Sequence, residues 1–167
     1  MAMVEIRVAK PNDAEEIAVV LREAFGMFEK RYTAEAFEIV TPSIDEIIRR
    51  FDDGPQWVAV LNAEIVGTVS IMIRDECLYL YSVAVRPSAQ GKGVGHKLLD
   101  ATDEYAAKTD FDRIFLYSTY FTPGAKELYE KHGYKWVRDT PAEEWFGVAG
   151  LEMDKTIERK KQNVVGS

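Results

Sequence analysis

The run from Tyr79 to Leu99, YLYSVAVRPSAQGKGVGHKLL, constrains this chain more than any other segment. Aromatic and β-branched residues up to Val85 read as a strand, and Arg86-Pro87 ends it. Val94, Leu98, Ala101 and Tyr105 then recur at helical spacing and predict an amphipathic helix reaching about Lys108. Between strand and helix stand Gly91, Gly93 and Gly95. A residue without Cβ lets a ligand oxygen approach the main chain and lets successive N–H groups point the same way. The unpaired N–H groups of a first helical turn, together with the helix dipole, favour an anion at that place. Glycine inside a first turn costs about 1 kcal/mol relative to alanine, so its repetition here points to an anion site of pyrophosphate size rather than to a simple tight turn.

Two other phosphate-binding patterns do not fit the letters. A Walker loop requires Gly-Lys-Ser/Thr, whereas Lys92 is followed by Gly93. A dinucleotide fingerprint requires Gly-x-Gly-x-x-Gly, and His96 breaks that register.

The rest of the chain supplies a sheet and helices around this segment. Residues 3–9 alternate apolar and polar as a first strand, and Asp13 with Glu16 forms a capping-box pattern ahead of Ile17, Leu21 and Ala24. Residues 26–42 keep neither period and read as loop with a short helix. Ser43 and Glu46 mark a second capped helix that Asp53-Gly54-Pro55 terminates. Runs at 57–61, 65–73 and 78–85, joined by turns at Asn62-Ala63-Glu64 and Arg74-Asp75-Glu76, read as three antiparallel strands. A strand at 114–118 follows, then a helix with Thr122 as N-cap and Pro123 at its first position, ended by Gly133. Strands at 134–137 and 146–153 close a β-α-α-β-β-β-α-β-α-β-β order, an α+β sheet flanked by helices.

With 167 residues, 47% of them hydrophobic, a single domain over 1–157 with a polar tail at 158–167 is expected. A net charge of −7 without a basic stripe disfavours a nucleic-acid partner. Cys77 is the one cysteine, which excludes an intrachain disulfide and a Cys-rich zinc site and makes the cytoplasm the default location. No run approaches the ~20 apolar residues of a membrane helix, so no membrane partner is expected.

Gln90-x-x-Gly93-x-Gly95 after Val83-Ala84-Val85-x-Pro87 resembles the acetyl-CoA signature of the GNAT superfamily of N-acetyltransferases. Ala125-Lys-Glu-Leu-Tyr-Glu-Lys-His-Gly-Tyr134 is similar to that family's helix ending in Leu-Tyr-Glu-Lys-x-Gly-Phe. The resemblance implies the GNAT fold, a mixed and mostly antiparallel sheet of about seven strands flanked by about four helices. It implies acetyl-CoA as cosubstrate, with the backbone of Val83, Ala84 and Val85 pairing the pantetheine arm and the loop Gln90, Gly91, Lys92, Gly93, Val94, Gly95 and His96 wrapping the pyrophosphate. Tyr129 falls where the family places a hydroxyl near the coenzyme sulfur, and Thr122 stands where many members carry Asn against the pantetheine. No metal is implied, and a homodimer is a possibility the family offers.

Transfer chemistry gives these residues work. A thiol has an unperturbed pKa of about 8.5, so a positioned phenol at Tyr129 can donate a proton to the departing sulfur or stabilise its charge. An attacking amine must be neutral, and Tyr81, on the strand leading to the pantetheine segment, is a candidate to order a water that takes its proton. Selectivity in the superfamily lies in the first helical region and the loop before the last strand. Tyr32, Glu35 and Glu38, with Asp139, Glu143 and Glu144, would suit a cationic amine on a small molecule or peptide. His96 and His132 lack partners at metal-ligand spacing, and His132 is placed to cap its helix end. The other reading of the same features is a non-catalytic acyl-CoA binding or regulatory domain.

Overall fold

The computed structural model describes residues 3–159. The tail predicted at 158–167 therefore lies mostly outside the described residues. Among these residues seven strands form one sheet in the order β1-β2-β3-β4-β5-β7-β6. They are β1 (Glu5–Val8), β2 (Gln56–Leu61), β3 (Glu64–Arg74), β4 (Cys77–Val85), β5 (Arg113–Ser118), β6 (Lys135–Thr140) and β7 (Gly150–Thr156). Five helices accompany them: α1 (Ala14–Gly26), α2 (Ala34–Val40), α3 (Ile44–Arg50), α4 (Val94–Ala107) and α5 (Ala125–Lys131).

Two-residue reversals make the first hairpins. Asn62 and Ala63 (φ 52° and 65°) join β2 to β3, and Asp75 and Glu76 (φ 52° and 61°) join β3 to β4, the paired left-handed geometry whose twist matches flanking strands. The α3 start follows its sequence, with the Ser43 hydroxyl accepting from the Glu46 N–H at 3.1 Å. α2 is capped the same way by Thr33, whose Oγ1 accepts from the Ala36 N–H at 3.1 Å.

One expected cap changes partners and two expected boundaries move, each for a local reason. The Asp13 carboxylate caps the turn before α1 by accepting the Lys10 N–H at 2.8 Å, and it takes both Arg7 Nη atoms at 2.8 and 3.0 Å. The expected partner Glu16 instead accepts from the Ile65 N–H at 3.3 Å, tying α1 to β3. α5 begins after Gly124 (φ 77°), so Thr122 and Pro123 precede the helix, and the Thr122 hydroxyl pairs with that of Thr119 at 2.8 Å. β7 begins at Gly150 because Phe146 and Gly147 (φ 47° and 85°) turn the chain where a strand was expected.

Alternating residues of the sheet bury opposite faces. One face packs Leu78, Leu80, Ile114 and Leu116 under Leu98 and Leu99 of α4 and Tyr129 of α5. The other packs Val58, Ile65 and Ala84 against Ile17 and Leu21 of α1 and Ile47 of α3. Each such fully buried aliphatic chain is worth about 1.5–3 kcal/mol of transfer free energy. Gly150 marks a close approach within this frame: a Cβ there would lie 2.2 Å from the Ser118 carbonyl oxygen, so only glycine lets β7 lie against the end of β5.

One core group stands unpaired among the described residues. Tyr134 is 2% exposed and its hydroxyl has no hydrogen-bond partner there, while Lys155 Nζ sits 4.6 Å from its ring. Burying a lone hydroxyl costs about 1–3 kcal/mol, and a phenylalanine keeps the ring and the cation contact. Tyr134→Phe is therefore expected to leave stability unchanged or raise it by up to about 1 kcal/mol in urea unfolding; a loss larger than that would reveal a partner for the hydroxyl.

Candidate active site

The site exists because β4 and β5 part company. They are the sheet's parallel neighbours, yet they pair only at Leu78↔Ile114 and Tyr79↔Phe115. On its other side β4 stays bonded to β3 as far as Val85, but the register shifts: Thr68 faces Ala84 and Ser70 faces Tyr81. One residue of β3 thus opposes Ser82 and Val83 together, with Ser82 at φ 53°, a bulge that bends β4 away from β5. Past the bulge, β4 turns an edge of backbone groups toward an opening.

That opening is a cavity of about 820 Å³ whose wall draws on both faces of the sheet. At one end are Val83, Ala84 and Val85, then Gln90, Gly91, Gly93, Val94, Gly95 and His96 at the start of α4. Gly91 and Gly93 have φ of 79° and 76°, and Gly93 is the N-cap of α4, so the loop uses a conformation that disfavours side chains. The Gln90 amide donates to the Val85 carbonyl at 3.3 Å and ties the loop to the strand end. At the other end stand Tyr32, Tyr79, Tyr81, Arg50 and Arg74. Tyr129, Thr122 and Leu128 line the cavity from the α5 side.

Most of the residues singled out from the sequence therefore meet in one place, among them Tyr129, Tyr81, Tyr32 and Thr122. Lys92, Glu35 and Glu38 do not: all three are exposed and outside the cavity wall. The anticipated acidic acceptor wall is likewise missing among the described residues. Asp139 accepts from the Tyr120 hydroxyl and from Trp136 Nε1 at 3.0 Å away from the cavity, and Glu144, which does line it, is held by Arg138 at 2.7 and 2.9 Å.

Sequence reading missed Arg50 and Arg74. Arg50 closes α3, where a basic residue ordinarily serves the helix dipole. Its neighbour Arg49 does take the solvent ion pairs with Glu46 and Asp53, but Arg50 turns inward, over the Tyr81 ring at 5.4 Å. Arg74 lies over Tyr79 and Tyr117 at 5.1 and 5.7 Å. The alternation Tyr79, Tyr81 was the available signal, since it places two phenols on one side of β4.

The two histidines, far apart in sequence, are stacked, with His96 Nδ1 3.0 Å from His132 Nε2. His132 is the C-cap of α5 as expected, and its Nδ1 also faces Asp103 at 3.5 Å and Asp100 at 3.7 Å. Lys155 pairs with Asp103 at 2.6 Å and so already balances part of that charge. Cys77 sits at the first residue of β4, outside the cavity wall.

The sequence model of the acetyltransferase (GNAT) family matches residues 15–134. The chain belongs to the acetyltransferase (GNAT) family and is an acyltransferase. It is similar to an uncharacterized N-acetyltransferase, YhfO, of Bacillus subtilis (strain 168), at 27% identity over 134 residues, which covers 78% of this chain and 89% of the relative. It is 31% identical over 86 residues to N-acetylaspartate synthetase of Danio rerio, covering 50% of this chain and only 30% of that longer protein. The fold is shared with the PaiA N-acetyltransferase of Thermoplasma acidophilum in complex with coenzyme A, at a TM-score of 0.76 and 22% identity over 92% of this chain and 99% of that one.

Burial sets the protonation state of the phenols. It pushes Tyr32 and Tyr79 up to about 12, against opposing pulls from the Thr119 hydroxyl and Arg74 respectively. It raises Tyr129 further, helped by the nearby Tyr79 and Tyr32, and raises Tyr81, opposed by Arg50. The ordinary value is 10.0, so from about pH 10 upward the folded chain holds protons that the unfolded chain has lost, and stability falls as pH rises toward 12. In an alkaline titration the tyrosinate absorbance of these residues should appear together with loss of the near-ultraviolet circular dichroism. A full tyrosinate signal in a still folded protein near pH 10 would contradict their burial.

Proposed function

We propose that the chain transfers the acetyl group of acetyl-CoA to the primary amine of a small molecule or peptide, by direct attack within a ternary complex. The observation that carries this reading is the parting of β4 and β5 with the glycine loop at one end of the opening and Tyr129 inside it. In this reading residues 1–157 act as one domain. The unpaired edge of Val83–Val85 bonds the amides of the pantetheine arm. The N–H groups of Gln90–His96 and the α4 dipole hold the pyrophosphate, which a protein of net charge −7 must do by local geometry. The coenzyme A complex of the Thermoplasma acidophilum protein of the same fold supports that assignment. Thr122 stands where many family members carry Asn, and its hydroxyl is paired with that of Thr119 at 2.8 Å.

The amine attacks the thioester carbon, a C–N bond forms, the C–S bond breaks, and the amine's proton leaves to water ordered by Tyr81. The sulfur departs as thiolate. A Tyr129 phenol pushed above the ordinary range keeps its proton and is a weaker acid than a thiol of about 8.5, so its part is a hydrogen bond to the developing charge in a dry site rather than full proton delivery. An acyl-cysteine route has no support: Cys77 lies six residues before Val83, roughly 20 Å along an extended strand.

Two measurements test this reading. Tyr129→Phe should lower kcat by about 10²-fold or more with coenzyme affinity unchanged, followed as free thiol; unaltered turnover removes Tyr129 from the mechanism. Gly93→Val should weaken coenzyme A binding in calorimetry by more than about tenfold, because the left-handed conformation and the room above the loop are both lost. Bound acetyl-CoA without thiol release on any amine would instead make this a binding domain.

A further inference from the structure

The end of the cavity away from the glycine loop is cationic. Arg50 is the more telling of its two arginines because its side chain is only 13% exposed and its contacts are long. Its Nε lies 3.5 Å from Glu46, its Nη1 donates to the Ser82 hydroxyl at 3.4 Å and its Nη2 to the Ile39 carbonyl at 3.4 Å. Glu46 itself is engaged by Arg49, with both bonds at 2.9 Å. A guanidinium removed from water and left without a short anionic partner is costly unless a ligand supplies one. Arg74, by contrast, is 48% exposed, and among the described residues its nearest acid is Asp75 at 4.0 Å, so it adds positive charge at the rim rather than a second buried guanidinium. Among the described residues the one carboxylate in the wall is Glu144, and Arg138 holds both of its oxygens.

Position along β4 assigns these guanidiniums to the acceptor. Arg50 covers Tyr81 and Arg74 covers Tyr79, four and six residues before Val85, or roughly 13 and 20 Å from the strand end that meets the glycine loop. The α3 and Tyr79–Tyr81 side is also the opposite face of the sheet from α4 and α5. A coenzyme entering along the loop and Val83–Val85 brings its thioester toward the gap from one face, and the arginines wait on the other.

Resting on the acetyltransferase reading, we propose that the acceptor carries a carboxylate beside its amine, received by Arg50 with Arg74 next to it, so that the substrate class is amino acids rather than polycationic amines. The planar fork of Arg50 fits a carboxylate with two parallel bonds. The Tyr81 ring beneath holds the fork in place, and the two positive charges repel a polyamine. The same carboxylate contact fixes the amine's direction of approach.

The test uses the whole chain, acetyl-CoA, and matched acceptors: free amino acids, their α-carboxamides, short peptides and polyamines, with thiol release and product mass as readouts. Wild type should favour free amino acids over the carboxamides by at least about tenfold in kcat/KM, the worth of one charge-assisted bond. Arg50→Gln should abolish that ratio by raising KM for the carboxylate substrates, whereas any change in kcat that reaches Tyr81 beneath it falls equally on carboxylates and carboxamides and leaves the ratio readable. Arg50→Lys, which keeps charge without the fork, should retain part of the preference and controls for folding, together with coenzyme affinity. Equal or faster reaction of carboxamides or polyamines, or a preference unchanged in Arg50→Gln, overturns the inference while leaving the transferase reading intact. If acetyl-CoA binds and no amine releases thiol, the transferase reading fails. Saturation-transfer NMR on the coenzyme-loaded protein then decides the carboxylate site: selective binding of free amino acids that Arg50→Gln removes supports it, and equal binding of carboxamides overturns it.

Discussion

A parallel pair of strands that stays bonded for two registers and then separates leaves main-chain donors and acceptors without partners in the middle of a sheet. Such groups are expensive to bury dry, so the gap must be filled by water or by a ligand with amides of its own. Everything functional here is arranged around that requirement. The bulge at Ser82 turns the end of β4 outward, Gly150 lets β7 hold the end of β5 in place, and α4 and α5 close one side while α1 and α3 close the other. The cavity is the gap continued through the sheet, and its wall draws on both faces.

Electrostatics divide the molecule in a way its net charge conceals. A chain at −7 presents a cavity whose fixed charges are mainly guanidinium, because its acids lie outside the wall apart from Glu144, which Arg138 pairs. Glu152 takes Arg113 at 2.8 Å and Arg138 at 3.1 Å, Arg138 takes Glu144, and Arg86 takes Glu23 and Glu64. Among the described residues, Arg50 and Arg74 are the arginines of the cavity wall. Around them Tyr32, Tyr79 and Tyr81 stay neutral through burial, providing hydroxyls and ring faces without adding negative charge to the cavity.

Legibility followed the range of the interaction involved. Ser43 could be read as a cap because its bond reaches three residues ahead, and the turns at Asn62-Ala63 and Asp75-Glu76 because two residues suffice to reverse a chain. Asp13 misled because a cap pattern says nothing of Arg7, six residues back, which competes for the same carboxylate. Phe146 misled because an aromatic in an apolar run reads as strand, whereas its positive φ follows from the turn that brings its carbonyl to the Thr33 hydroxyl at 2.5 Å, across 113 residues. Glu35 and Glu38 looked like acceptor contacts by chain order, yet a seven-residue helix has a solvent side, and α2 turns both toward it.

By itself the sequence determined the main elements, the α+β class and the glycine loop between β4 and α4, because period, capping and glycine conformation are properties of a few consecutive residues. It also singled out Tyr129 and Tyr81, which line the same cavity as that loop. Only the tertiary structure decided that β4 and β5 would part, that Arg50 rather than Arg49 would turn inward, and that His96 would meet His132. Those outcomes depend on which of several equivalent side chains a distant strand or helix leaves room for, and packing of that kind is not written in local spacing.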